Sequence, residues 1–595
     1  MGRKLEQYKF LKNKVIIQSR GKLCETADEL LRSQPFRTLL ECVLDDLSQR
    51  NSRLLGIFGG MEINDESINL LIQTFQYLTI LRREVIPNIL PESAVFFRNP
   101  DTLEDFVEHL YNAWRNYDRF VIVSGMSGEA LDDRPYRTFN DTVENLMHLV
   151  IATYRDIAEN ITGAHPRIYR QARAGVDIGA IVSREPEVTR WTAGLGAPYQ
   201  KLANTSIIRQ VLLYPPLVLN PPMNKRSGQF QRVEENPLDL VDLQVDEWVA
   251  YPAKVGDLLI LTYIHEEFLE LGMSLCNLFE LADDQDLLEP PDAVYLFGVP
   301  GDVLDRFGDL PTVFYDDEER GLLVAAVPNA ERFGYFGYLK KMMLTLHNIT
   351  VMKRGRLPFH GALVKITLQE RDVSVLLIGE TGAGKSETLE AFRVLGDDEL
   401  QDMTIIADDM GSLEISDGQV LGYGSEIGAF IRLDDLQPGY EFGQMGRAIF
   451  MSPSQTNARL ILPVTSFAHV VEGCPIDLVL YANNYQDVNE DLPIIDRFPD
   501  PASALEVFRE GKVMSKGTTT SSGIVQSYFA NIFGPPQYHE VHEKLAESYF
   551  QHLFEKEVFV GQLRTRLGLP GWETKGPEEA ARTLITVIRN QTKSD

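Results

Sequence analysis

Apolar residues recur at three- and four-residue spacing over 103–114 and again over 142–161, the stripe of an amphipathic helix. Between them, Phe120-Val121-Ile122-Val123 reads as a strand. These patterns predict a mostly helical segment over residues 1–164. From about 165 the texture changes to short apolar runs punctuated by Gly and Pro. Residues 211–222 hold four prolines and predict extended chain, because proline lacks the N–H a helix needs and clashes with the preceding turn. The acidic stretch 229–246 predicts a surface loop. Strands are expected over 258–263, 293–297, 321–327, 362–368, 373–378, 404–407 and 478–481, with helices over 338–348 and 387–395. The last fifty residues read as helical, interrupted at Leu569-Pro570-Gly571. Strands alternating with helices in this way predict an α/β fold.

One loop in this pattern carries chemistry. Gly379-Glu380-Thr381-Gly382-Ala383-Gly384-Lys385-Ser386 fits G-x-x-x-x-G-K-[ST] and lies between an expected strand and an expected helix. Glycines at these positions let consecutive backbone N–H groups turn toward phosphate oxygens. Lys385 is placed to reach β- and γ-phosphates, and the Ser386 hydroxyl to ligate Mg²⁺. The spacing predicts a nucleoside triphosphate as ligand.

Composition narrows the setting. At 595 residues the chain exceeds what one core supports, so two or three domains are expected. A net charge of −29 argues against nucleic acid or an anionic membrane as partner, and it requires that cations used on phosphates be gathered in a cleft. Cys24, Cys42, Cys276 and Cys474 are far apart, without metal or redox spacing, and read as buried thiols of a cytoplasmic protein. No run of 18 apolar residues suggests a membrane span, and residues 1–22 lack a signal-peptide core.

Other candidates are weaker one by one. Asp408 and Asp409 end an apolar strand, where they either hold a divalent cation beside the phosphate loop or form an ordinary Asp-Asp turn. His360 precedes a strand and is either a ligand or a structural histidine. Lys340-Lys341 also fits a solvated face, and Arg459 alone says nothing.

Taken in order, these elements resemble ATP-dependent phosphoenolpyruvate carboxykinase. Tyr335-Phe336-Gly337-Tyr338-Leu339-Lys340-Lys341, followed by Met342-Met343, is similar to that family's Y-x-G-E-M-K-K-G-M. Residues 357–362 resemble its L/M-H-C-S-A block, 379–386 its kinase loop, and Ala407-Asp408-Asp409 its G-D-D. Residues 423–434 resemble E-G-G-C-Y-A-K, and Asn457-Ala458-Arg459-Leu460 resembles N-T-R-V. Residues 291–300, 477–484 and 517–534 resemble further family strands and its closing G-T-x-x-G-I to F-G stretch, and 179–186 falls where the family has T-G-R-S-P. The resemblance covers roughly 165–580 and implies an organic-acid domain over 165–355 and a mixed-sheet, P-loop kinase domain over 356–595, preceded by the helical extension. HPr kinase/phosphorylase is also similar over 359–364, 379–387 and 406–409, without the paired-lysine or N-A-R blocks.

The resemblance implies ATP as phosphoryl donor, oxaloacetate or phosphoenolpyruvate as the organic acid, Mn²⁺ on Lys341, His360 and Asp409, and Mg²⁺ on Ser386. It implies that Arg459 and Lys385 balance phosphoryl charge while Arg184 and Tyr335 hold the acid and CO₂. Lys341 ligates only as the neutral amine, so a lowered pKa is expected, with Lys340 contributing. The chain departs from the family where the acid and base are read. Residues 182–189 keep Arg184 and Pro186 without the two lysines, and 517–524 lack the arginine. A kinase with another hydroxyl acceptor and Asp408 or Asp409 as base therefore stays open, as does a nucleotide-binding regulator whose residues 1–164 engage a protein partner.

Overall fold

The computed structural model describes residues 7–19, 23–124, 135–164, 172–184, 190–368, 372–395, 400–436, 444–515 and 523–592. Its elements are of the α/β class, with mixed sheets. They divide into two compact units, Met1–Ser183 with Ile208–Tyr214, and Arg184–Ile207 with Pro215–Asp595. Among the described residues, no helix is long and apolar enough to cross a membrane.

The first unit is built on the helices Gln34–Gln49, Asp65–Leu78, Pro100–Arg115 and Pro135–Thr162. Their starts are set locally: Ser33 and Asn99 cap first turns that carry proline, and Asn64 and Ser67 form a reciprocal capping box. Their apolar faces share a core around Leu40, Phe58, Leu71, Phe75, Phe96 and Phe106. The unit also has strands that hydrophobic periodicity did not reveal. Gln7–Phe10 pairs antiparallel with Lys14–Ser19, which runs parallel to Asp118–Ser124. Lys14–Ser19 is almost wholly buried, so it lacks the alternation that marks a half-exposed strand. Cys42 is exposed on the helix Gln34–Gln49, and only Cys474 of the four cysteines is buried, which corrects the expectation of four buried thiols.

In the second unit, Leu258–His265, Ala293–Val299 and Leu322–Pro328 form a parallel core buried at every position. The helix Phe336–Lys353 is likewise buried almost all round. Its interior polar groups are satisfied: Thr345 and Thr350 donate to the carbonyls of Lys341 and Leu346, and the Asn348 amide donates to the Phe533 carbonyl at 2.8 Å. A second sheet sets the antiparallel Leu357–Leu368 beside Asp372–Ile378, which continues in parallel through Leu478–Asn483 to Phe559–Arg564. The loop 379–386 therefore opens from the carboxyl end of parallel strands, where an open α/β sheet leaves its crevice.

Phe559–Arg564 separates the helices His539–Glu555 and Lys575–Thr592, so the chain end is not helical except for one break. Pairing with Leu478–Asn483, not local propensity, makes it a strand. Residues 229–246 similarly contain the short strand Gln231–Val233 and the helical turn Pro237–Leu240.

Leu377 is fully buried in the core between this sheet and the helices Lys385–Leu395 and Lys575–Thr592. Leu377→Ala is expected to cost about 2–5 kcal/mol through lost burial and the cavity left behind. Urea unfolding of the full chain checks this, and an unchanged midpoint would contradict the assigned packing.

Candidate functional site

The loop 379–386 is shaped by two glycines and by its neighbours. Gly382 and Gly384 have φ of 83° and 92°, a region that disfavours side chains, and a Cβ on Gly384 would lie 2.6 Å from Thr565 Oγ1. Asn484 Nδ2 donates to the Gly382 carbonyl at 2.9 Å, and Thr565 Oγ1 to the Ala383 carbonyl at 2.7 Å. Both props stand just beyond the carboxyl ends of the neighbouring parallel strands. Lys385 is buried and folded back, donating to the carbonyls of Gly379 and Glu380. Ser386 is exposed in the first turn of Lys385–Leu395.

The helix Phe336–Lys353 brings the lysine pair against the end of Leu400–Ala407. Lys340 is not on a solvated face. It is 2 % exposed, with its ammonium 2.8 Å from Asp409 Oδ2 and 3.1 Å from Glu426 Oε1. Burial opposes its charge, but Asp409 and Glu426 overcome this and hold it protonated above the usual lysine range. Burial also opposes ionisation of Asp409, yet Lys340 and His360 hold its carboxyl well below the usual range. Burial pushes Asp408 up to about 6, helped by repulsion from Asp409. Burial pushes Lys341 down to about 8, with the positive field of Arg226 adding to the effect. Lys385 is lowered by burial as well.

His360 is buried, with Nδ1 against the Ala530 carbonyl and Nε2 3.0 Å from Asp409 Oδ1. A carbonyl oxygen only accepts, so Nδ1 carries a proton and Nε2 faces the carboxylate. At that distance Nε2 and the carboxylate oxygen have a shared proton or a cation between them. With a lysine drawn toward its neutral amine nearby, this donor set fits the divalent metal implied by the family resemblance. Among the described residues, no group of three or more His, Cys, Asp or Glu side chains is arranged for a metal, and the set here relies on lysine as its third member.

Arg459 reaches the same region. Its guanidinium lies 5.4 Å from the Phe430 ring, which also meets Lys340 at 6.0 Å, and among the described residues its buried Nε meets no hydrogen-bond partner. Burial raises the Tyr335 phenol, against the positive charge of Arg459 and Lys340. Arg184 does not join this group. Its guanidinium pairs with Asp246 at 2.7 Å and donates to Ser206 at 2.7 Å. Residues 185–189 and 516–522, which contain the rest of the acid-loop and G-T-x-x-G-I expectations, lie outside the described residues.

Two charged members escaped the sequence reading. Arg226 stands close enough to act on Lys341 and Tyr335, while its guanidinium covers Phe230 at 4.8 Å. Glu426 is an enclosed acid whose Oε1 lies 3.1 Å from the Lys340 ammonium. Nothing local marks either one: Arg226 lies in a polar loop, and Glu426 follows a strand ending in Gly424. No protein-family model matches the chain, and no curated protein matches its sequence significantly.

Burial pushes Glu426 up to about 8 from an ordinary 4.5. Between those values the folded state keeps a proton that the unfolded chain has released, so this group's stabilising contribution falls as pH rises. Glu426→Gln keeps the shape but does not titrate. Its melting temperature relative to the native chain is expected to rise by a few degrees from about pH 5 to about pH 8, measured by calorimetry. A difference independent of pH would contradict the buried-acid assignment.

Proposed function

We propose that this chain is a nucleotide- and divalent-metal-dependent phosphotransferase of the phosphoenolpyruvate carboxykinase kind, converting oxaloacetate and ATP to phosphoenolpyruvate, ADP and CO₂. The observation that carries this reading is Lys341, drawn toward its neutral amine beside the Asp409–His360 pair. Binding a nucleotide alone requires no such lysine. Lys341, His360 and Asp409 would hold Mn²⁺ and Ser386 Mg²⁺, and when bound these ions supply positive charge to the developing enolate and phosphoryl oxygens.

The chain's own groups do the positioning. Backbone N–H groups of residues 379–386 orient the β- and γ-phosphates, and Lys385 leaves the Gly379 and Glu380 carbonyls to join them. Arg459 and Arg226 balance the charge of the dicarboxylate and the migrating phosphoryl, with Arg226 in the role expected of Arg184. The bond to the departing carboxylate breaks and leaves its electron pair as an enolate. The enolate oxygen attacks the γ-phosphorus as the bond to the ADP oxygen breaks, so no net proton transfer is needed.

A second reading, a kinase for another hydroxyl acceptor, is favoured by one observation: Asp408, pushed up to about 6, is poised near neutrality as a general base. Purified protein with ATP, Mg²⁺, Mn²⁺ and oxaloacetate is expected to form phosphoenolpyruvate, and Lys341→Ala to abolish it. Arg226→Ala is expected to lower kcat/KM by roughly a hundredfold or more, the scale of losing a partner of a desolvated charge, whereas Arg184→Ala leaves it within about twofold. No product despite intact ATP binding would sink oxaloacetate as substrate and favour the hydroxyl-acceptor reading.

A further inference from the structure

Three consecutive residues, none of them glycine, have left-handed backbone: Phe529 (φ 44°), Ala530 (φ 58°) and Asn531 (φ 62°). Each position is sterically unfavourable for an L-residue, and a run of three persists only where its surroundings over-determine it. The surroundings are specific. The Tyr528 hydroxyl lies 2.7 Å from Glu543 Oε1 and 2.8 Å from His542 Nδ1, both on the helix His539–Glu555. Arg509 Nε donates to Glu543 at 2.8 Å, and the buried Phe529 ring meets His542 edge-on at 4.7 Å.

The clamped segment also reaches two groups of the candidate site. Ser527 Oγ donates to Glu380 Oε2 at 3.1 Å, and Asn531 Nδ2 donates to Glu380 Oε1 at 3.1 Å. Between these two residues, the Ala530 carbonyl accepts from His360 Nδ1. The backbone adds a direct tie, with Gly379 N donating to the His360 carbonyl at 3.2 Å. Two residues beyond Asn531, the Phe533 ring lies 6.2 Å from the His360 ring and 4.8 Å from Lys341 Nζ. A carboxylate in a phosphate loop opposes an anionic ligand unless it is held aside. Glu380 is held by the same segment that fixes the imidazole.

We infer that residues 527–531 are a positioning latch that couples the phosphate loop, through Glu380, to the ring orientation of His360. An anion entering the loop repels the Glu380 carboxylate and loads the Ser527 and Asn531 bonds. The Ala530 carbonyl lies between them in a segment with no slack, so the imidazole it orients responds. Ser527 and Asn531 act through Glu380 and His360 and touch no reacting atom. The inference rests on the nucleotide-loop reading of residues 379–386, so nucleotide binding is measured separately in its test.

The full chain, labelled with ¹⁵N-histidine and with His360 assigned by comparison with His360→Asn, is titrated with Mg-ADP. Calorimetry reports binding and NMR reports the two His360 ring nitrogens. Binding is expected to shift both resonances in the native chain. In Ser527→Ala/Asn531→Gly the nucleotide is expected to bind within about tenfold of the native affinity, the scale of two lost hydrogen bonds, while the His360 shift falls by at least half. Glycine tolerates the left-handed backbone at 531, and Asn531→Gly alone, which keeps Ser527, is expected to give an intermediate shift. A full His360 shift in the variants, or none in the native chain despite measured binding, would overturn the latch. No nucleotide binding by the native chain would remove the loop reading and the latch with it.

Discussion

The ammonium of Lys340, enclosed between Asp409 and Glu426, is the interaction on which the rest of the site depends. A lone buried charge is costly, and removing one partner of a buried pair leaves the other uncompensated. This contact therefore fixes where the helix Phe336–Lys353 meets the end of Leu400–Ala407. It also aims Asp409, whose other oxygen faces His360 Nε2, and contributes to the positive field that draws Lys341 toward its neutral form. A structural ion pair thereby helps set the charge state of a neighbouring lysine.

The chain carries a net charge of −29, yet its candidate site is rich in cations. Lys340, Lys341, Lys385, Arg226 and Arg459 gather in one region, where Asp408 and Asp409 offset part of their charge. Burial divides the roles. Lys340 and Asp409 stay ionised because they are paired, whereas Glu426, Asp408 and Lys341 shift toward neutrality because pairing does not fully compensate their lost solvation. Phe430 serves the same balance by presenting its ring to both Lys340 and Arg459.

The strand–loop–helix around residues 379–386 is legible in the chain because its constraint is local: a strand, glycines where φ is positive, then a helix carrying Lys385. Its supports are not local. Asn484, Thr565 and Ser527 come from distant segments and leave no mark in their own neighbourhoods. The same distinction separates Arg184 from Arg226. The first occupies a familiar position in sequence but pairs with Asp246, while the second lies in an unremarkable loop and acts on Lys341 and Tyr335.

By itself the sequence determined the α/β class, seven strands of the second unit but not the many others around them, the strand–loop–helix at 372–395, and the identities of Lys340, Lys341, His360, Asp408, Asp409 and Arg459 as candidates. Each is written in a pattern spanning a few residues: periodicity, a glycine spacing, a paired charge. Only the tertiary structure decided that Phe559–Arg564 is a strand, that Glu426 is enclosed, that Arg226 rather than Arg184 joins the cations, and that Glu380 and His360 share one strained segment. Those outcomes follow from solvation and pairing between residues far apart in the chain, and such energies exist only once folding has brought the groups together and excluded water.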